Sequence, residues 1–425
     1  MQQISPAGLA PASSIAIIGG GVVGAANALA LACEGYQVTV FEPDDIGAGT
    51  SSGNAGGIVT GAVTPTATPG VLRAMPGYVF DRDGAAVLRP AYALKILPWL
   101  LRFIAASRPS RVAEIAQALH PLVASSMQAH LALADVCGAR DRIRSVGWLK
   151  VYKTARGFAD TALDRELMTR HGVNFSVLTA AQIAEMEPNI DPDAYTCGLF
   201  QPDSGFVNYP QALSQAYFDG ASQRGAMHVR EKVREVRPLE SGGVTITTGQ
   251  GSRQFDAVLV AAGAWSKQFA SQIGDKVCLD TERGYHISLQ SSGANLLQRP
   301  VGFPENHCVL SPMHDGISIV SIDELAGLDA PPDYRRIRAL MPFARKVLPG
   351  IAKQTVQREW MGFRPSTPDS LPVIGRSPRV RNVFYAFGHG HLGLTMSAIT
   401  AQLIANMVSG RADSVDMTPY RIDRF

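Results

Sequence analysis

A chain of 425 residues, 46% hydrophobic and 18% charged, has the length of two domains and enough apolar side chains for large cores. Its net charge of +3 offers no concentrated basic face, which excludes nucleic acid as an expected partner. The five cysteines, Cys33, Cys137, Cys197, Cys278 and Cys308, are scattered, with no CxxC and no Cys/His pair at ligand spacing, so the sequence predicts a reducing, cytoplasmic compartment and no metal.

In chain order, Met1 to Ser13 reads as a loose tail. The apolar strand Ile15 to Ile18 then runs straight into Gly19-Gly20-Gly21-Val22-Val23-Gly24. This spells GxGxxG in the setting that gives the motif its meaning. Gly19 permits a tight turn, Gly21 lets backbone N–H groups approach a pyrophosphate, and Gly24 lets the next helix pack on the strand. That helix, Val22 to about Glu34, opens on Val22 and Val23, stops at Gly35 and aims its positive end at the phosphates. A second strand, Gln37 to Phe41, delivers Glu42, where a carboxylate hydrogen-bonds an adenosine ribose and repels a 2′-phosphate. The unit predicts a dinucleotide site for FAD or NAD, with NADP disfavoured. The run Ile15 to Cys33 has the look of an export signal, but its central glycines and the lack of a preceding Lys or Arg fit the nucleotide turn better. No other stretch is apolar over 18 residues, so no transmembrane helix is expected.

The loop GAGTSSGNAGGIVTG, Gly47 to Gly61, leaves the second strand beside the crevice where open α/β sheets bind ligands. Ser51, Ser52 and Asn54 offer hydroxyl and amide groups there, and Ala55, Gly56 and Gly57 allow close backbone approach. Pro65 to Asp83 reads as an excursion out of the first domain. Arg89 to Arg111 carries five basic residues and no acid among many apolar ones, which predicts one or two helices interrupted at Pro98. Its apolar side suits either the core of the substrate domain or an anionic membrane surface.

Val112 to Gly138 is expected to be one long helix. Gly147 to Tyr152 predicts a strand, and Ala155 to His171, Thr179 to Glu187 and Gln211 to Arg224 predict helices. Strands over Val229 to Val236, Val244 to Thr248 and Phe255 to Val260 end at Ala261-Ala262-Gly263-Ala264-Trp265, small residues that let backbone meet a ligand. Cys278 to Leu289 is strand-like and contains Thr281-Glu282-Arg283-Gly284-Tyr285-His286. Pro331 to Pro349 predicts a surface helix. Near the end, Trp360 to Pro365 precedes a proline-punctuated loop and a strand over Val383 to Phe387. Gly388-His389-Gly390-His391-Leu392-Gly393 then opens a helix, Leu394 to Val408, which again points a positive helix end at a ligand.

In this order GGGVVG with Glu42, TSSGNAGG, AAGAW, ERGYH, WMGFRPSTPDSLPVIG and FGHGHLGLT resemble the FAD-dependent D-amino-acid oxidase superfamily, most of all its D-amino-acid dehydrogenase branch. The resemblance runs from Ser14 to Gly410. It implies an α/β protein with a doubly wound Rossmann-like FAD domain (13–88, 205–272 and 361–425) and an α+β substrate domain built on a large antiparallel sheet (89–204 and 273–360). It implies FAD rather than NAD, bound noncovalently because Arg358 to Gly375 contains no cysteine for attachment. Val233 would meet the adenine, Ala262, Gly263 and Trp265 the pyrophosphate or flavin, and Ser51 to Gly57 the isoalloxazine. Gly388, Gly390, His391, Leu392, Gly393, Leu394 and Thr395 would lie along its N1 and C2 edge.

Oxidising an amino acid to an imino acid moves the α-hydrogen as hydride to flavin N5, so orientation carries most of the catalysis. Arg364 matches the family's carboxylate-binding arginine, Tyr285 would add a second hydrogen bond, and His389 would assist amine deprotonation. The expected activity is oxidation of D-amino acids, with D-proline or a hydroxy-D-proline as candidates and a quinone or other acceptor for the electrons. Two other readings stand beside it: the FAD subunit of a sarcosine, glycine or opine dehydrogenase complex with partner chains, and a nucleotide-binding protein without turnover. The expected location is cytoplasmic or peripheral on the inner face of the cell membrane.

Overall fold

The structure, a computed structural model, describes residues 8–72, 86–290, 293, 295–413 and 415–425. The elements that position the site are β1 (Ser14–Ile18), α1 (Val22–Cys33), β2 (Gln37–Phe41), α2 (Ala93–Ala106), α3 (Pro109–Ala124), α4 (Ser126–Val136), β3 (Ala257–Val260), β4 (Asp280–Leu289), β5 (Gly316–Leu325), β6 (Val356–Ser366), β7 (Val383–Phe387) and α5 (Gly393–Ser409).

Among the described residues, six strands form the first sheet, in the order Val373–Arg376, β7, β3, β1, β2, Met227–Val229. Its four central strands are parallel and its edge strand Val373–Arg376 is antiparallel. β1, β3 and β7 are apolar along their whole length because helices and loops bury both faces, as parallel sheets require. One face packs on α1 and α5 through Ile15, Ile17, Ala25, Leu29, Ile399 and Leu403. The other packs on Val236, Ile246, Phe269 and Ile273.

The second sheet has nine strands among the described residues, in the order β6, β4, β5, Cys308–Met313, Val301–Phe303, Trp148–Tyr152, Cys197–Gln201, Ser176–Thr179, with Ala86–Leu88 against β5. It is antiparallel except where Val301–Phe303 meets Trp148–Tyr152 and where Ala86–Leu88 meets β5. Behind it Tyr285, Ile287, Ile319, Ile337 and Leu348 form a separate core.

Several expectations change, among them the helix over 155–171, which is two, Ala155–Ala159 and Ala162–Arg170. The predicted helix over 112–138 is two, α3 and α4, because the Ser126 hydroxyl donates to Val123 O at 2.6 Å and competes with the helical ladder. Pro98 does not interrupt its helix, since α2 runs through it. The expected domain boundaries at 89 and 361 cut through continuous structure. Ile96, Trp99, Phe103, Val112, Ile115 and Leu119 share one core with α1 and α5, and residue 361 lies inside β6. Gly390–Ser409 is long and apolar enough to cross a membrane by length and composition alone, but 72% of its most apolar 18-residue window is buried inside the fold, against α1, α3 and α4, as in a core helix. The predicted tail and the excursion over 65–83 lie partly outside the described residues.

Candidate active site

The first glycine turn forms as its residues dictate. Gly19 sits at φ +106°, a conformation that side chains rarely adopt, and Gly21 caps α1. A Cβ on Gly24 would stand 1.9 Å from Gly19 O, so its role is to let α1 close on the turn. Glu42 follows β2, accepting from Gly20 N at 2.8 Å and Asp44 N at 3.2 Å, which braces the turn and leaves lone pairs over for another donor.

A cavity of about 770 Å³ opens from this turn and runs between the two sheets, within the size range of cofactor sites. Of the residues expected at a cofactor, Gly19, Gly21, Val22, Val23, Glu42, Ser51, Asn54, Ala55 and Gly57 line its first half. Val233, Ala262, Gly263, Trp265, Gly390, His391, Leu392, Gly393, Leu394 and Thr395 line it too. Gly24, Ser52, Gly56 and Gly388 do not. Ser52 turns its hydroxyl back to Ala48 O and Gly49 O, a Cβ on Gly56 would stand 2.3 Å from Val207 O, and Gly388 faces a small adjoining recess.

The serine and asparagine side chains brace the loop. Ser51 Oγ accepts from Val22 N at 2.9 Å, while Asn54 donates to Ser51 O and accepts from Gly56 N. Thr50 Oγ1 donates to Phe363 O and accepts from Phe363 N, fastening the loop to β6 one residue before Arg364. His286 holds Gly53 O with Nδ1 at 3.0 Å and stacks on Trp360. Thr395 Oγ1 accepts from Val59 N and donates to Gly57 O, joining the same loop to α5.

Arg364 stands on the cavity wall, paired with Asp323 of β5. Gly284 makes room for it: a Cβ there would lie 2.4 Å from Arg364 Nη2. Tyr285 and His389 also line the cavity, but neither offers the group expected of it. Alternation along β4 sends the Tyr285 side chain into the core behind the sheet, where its hydroxyl donates to Glu324 at 2.5 Å and accepts from Asp333 N. Its one proton is therefore committed to Glu324 and is not available to a substrate carboxylate. His389 sets Nε2 at 3.0 Å from Thr400 Oγ1 in α5, and burial drops its pKa to about 3. It is neutral at working pH and ties the glycine turn to the helix. His391 is open to the cavity, and desolvation by the cavity walls together with the Arg364 cation lowers its pKa from the ordinary histidine value.

Two carboxyls missed in the sequence share this wall, Glu282 and Asp323. Burial, with Asp323 nearby, raises Glu282 to about 7 against the pull of Arg364. An acid next to Arg283 in the sequence reads as an ordinary surface pair. Its place on the wall follows only from the pairing of β4 with β6. Among the described residues no group of three or more His, Cys, Asp or Glu side chains is arranged to hold a metal.

An N-terminal glycine turn at a helix end, a glutamate at the end of the next strand and a second glycine turn on the wall of one long cavity define a dinucleotide-dependent oxidoreductase. The chain belongs to the FAD dependent oxidoreductase family (DAO), whose model matches residues 14–407, and FAD is its cofactor. It is 33% identical over 417 residues to a D-amino-acid oxidase of Bradyrhizobium diazoefficiens, covering 97% of this chain and 98% of that protein. It is 30% identical over 426 residues to a D-amino acid dehydrogenase of Paramagnetospirillum magneticum, covering 97% and 98%. The fold is that of glycine oxidase from Geobacillus kaustophilus, with a TM-score of 0.76 at 24% identity over 97% of this chain and 99% of that one.

Proposed function

We propose that this enzyme oxidises D-amino acids to imino acids, which water then hydrolyses. The observation that carries the reading is Arg364 on the cavity wall, its guanidinium lying over Gly284 and its strand fastened to the TSSGNAGG loop by Thr50. A planar fork fixed in that way suits an α-carboxylate. Trp148, Trp360 and Phe363 line the same cavity and suit an aliphatic or cyclic side chain, D-proline and hydroxy-D-proline among them.

Gly19 to Gly24 and the α1 N-terminus would hold the diphosphate, Glu42 the ribose, and Gly390 to Thr395 the flavin ring. Bound there, FAD supplies the hydride acceptor at N5. Arg364 fixes the substrate so that its Cα–H bond faces that position, and Trp360, Phe363 and Trp148 exclude water from it. None of the five cysteines lines the cavity, which supports noncovalent FAD. We take the first sheet with α1 and α5 as the flavin-holding part and the second sheet as the substrate-holding part.

For the electron acceptor we favour a membrane quinone, with the enzyme peripheral on a cytoplasmic membrane face. Leu94 (86% exposed), Leu97, Leu101 and Ile104 present an outward apolar stripe on α2, and Lys95 and Arg102 stand exposed along its edge. Apolar tips with cationic neighbours suit an anionic lipid surface. The deciding experiment is anaerobic bleaching of the purified yellow protein by a panel of D- and L-amino acids, with a dye and then a quinone as acceptor. Bleaching by sarcosine or opines alone, or no bleaching, would refute the substrate reading; lack of sedimentation with anionic vesicles would refute the membrane reading.

A further inference from the structure

β4 and β6 are antiparallel neighbours, and in their register Glu282 lies directly opposite Arg364. Side chains of such partners rise from the same face about 5 Å apart at Cβ. Glu282 and Arg364 both line the cavity, with the Arg364 guanidinium inclined over Gly284. The Glu282 carboxyl therefore stands next to the carboxylate clamp. The charged and titratable groups around it are Arg364 on β6, Asp323 on β5, Asp280 on its own strand, and His389 and His391 on the glycine turn. Burial keeps His389 neutral, and the Arg364 cation disfavours a charge on the more open His391, so Glu282 is the proton acceptor on this wall with a fitting affinity.

We propose that Glu282 is a catalytic base, taking one proton from the ammonium group of an amino acid whose carboxylate Arg364 holds; this rests on the amino-acid reading above. The two groups of an α-amino acid sit on one carbon, so a clamp for one and an acceptor for the other must be neighbours, as these are. In the step one N–H bond breaks, its electron pair stays on nitrogen, and an O–H bond forms on Glu282. With FAD bound, the Cα–H pair would then pass as hydride to the flavin, the oxidant of this family, leaving the substrate as an iminium. Burial beside Arg364 also lowers the ammonium pKa, which brings donor and acceptor closer. Glu282 returns its proton to water once the product leaves.

The test uses the FAD-loaded enzyme and a D-amino acid that the wild type oxidises. Glu282→Gln should lower kcat/KM about 100-fold at pH 7. The deficit should narrow above the pKa of the free amine, where substrate arrives already deprotonated. Glu282→Asp should restore part of the rate. Benzoate, a carboxylate with no amine, should bind Glu282→Gln with the wild-type Kd, read from the flavin spectrum. A readout without turnover follows from the raised affinity of Glu282 for its proton. The folded state loses stability as pH rises from about 4.5 through about 7, so Glu282→Gln should melt above the wild type at pH 8 and level with it at pH 4.

A Glu282→Gln profile parallel to wild type at every pH, or a matching loss of benzoate affinity, would overturn the base role while leaving the amino-acid reading intact. A wild type that oxidises no amino acid in any ionisation state overturns both.

Discussion

Replacing Arg364 with alanine tests the orientation of the substrate. The Arg364 side chain is 19% exposed, so its bond to a carboxylate is mostly shielded from water. Charge-assisted hydrogen bonds of this kind contribute about 1.5–3 kcal/mol, and the upper figure suits a fork that makes two. About 3 kcal/mol corresponds to roughly a 150-fold fall in kcat/KM. The pH profile should move as well: removing a cation from beside Glu282 raises the affinity of that carboxyl for its proton, so the limb near pH 7 should shift upward. Arg364→Lys keeps the charge but loses the planar fork, and should recover only part of the activity. Steady-state dye reduction from pH 5 to 10 measures both effects, and the flavin absorbance per chain checks that the cofactor stays bound, because the Gly19 to Gly24 turn is untouched. Unchanged kinetics with FAD in place would remove Arg364 from substrate binding and with it the reading of the cavity.

Gly24→Ala puts a methyl group 1.9 Å from Gly19 O, so α1 must move off the turn, and the protein should purify with little flavin; a normal yellow yield would refute the nucleotide assignment. Tyr285→Phe should leave kcat/KM within about two-fold, yet cost about 1–2 kcal/mol in urea unfolding because buried Glu324 loses a donor. A large rise in KM would return Tyr285 to the substrate. His389 is depressed to about 3 in the folded state, so the stability it confers is full above its unfolded value near 6.5 and is lost as pH falls through 3. His389→Gln should flatten unfolding free energy between pH 7 and 4, and equal slopes in both proteins would refute this.

The nucleotide half of the site was readable in the sequence because its physics is local. A strand, a glycine turn, a helix and a carboxylate follow one another within Ser14 to Glu42, and Gly24 answers to Gly19 O within the same turn. The roles of Ser51 and His286 were not readable, since their partners are backbone groups that only the folded loop brings near. Ser51 meets Val22 N across 29 residues, and His286 meets Gly53 O across 233. Composition likewise gave α2 its basic and apolar character but not its orientation. That is set by Trp99, whose Nε1 donates to Ser366 O at the end of β6 and turns Leu94, Leu97, Leu101 and Ile104 outward.

Tyr285 and Glu282 show why the substrate half was harder. They are three residues apart on one strand, so they lie on opposite faces, and nothing local says which face meets the cavity. The register is held from behind. Arg283 is fully buried, donates to Gly327 O at 2.8 Å and lies 3.6 Å from Glu324, which also accepts from Tyr285 and Arg89. A slip of one residue would carry Glu282 into that core and swing Arg283 to the cavity, exchanging every side chain between faces. Stranding a buried charge in that way costs about 3–5 kcal/mol, comparable with the stability of many whole domains. The ion cluster behind the sheet is therefore what keeps Glu282 and Arg364 together on its cavity side.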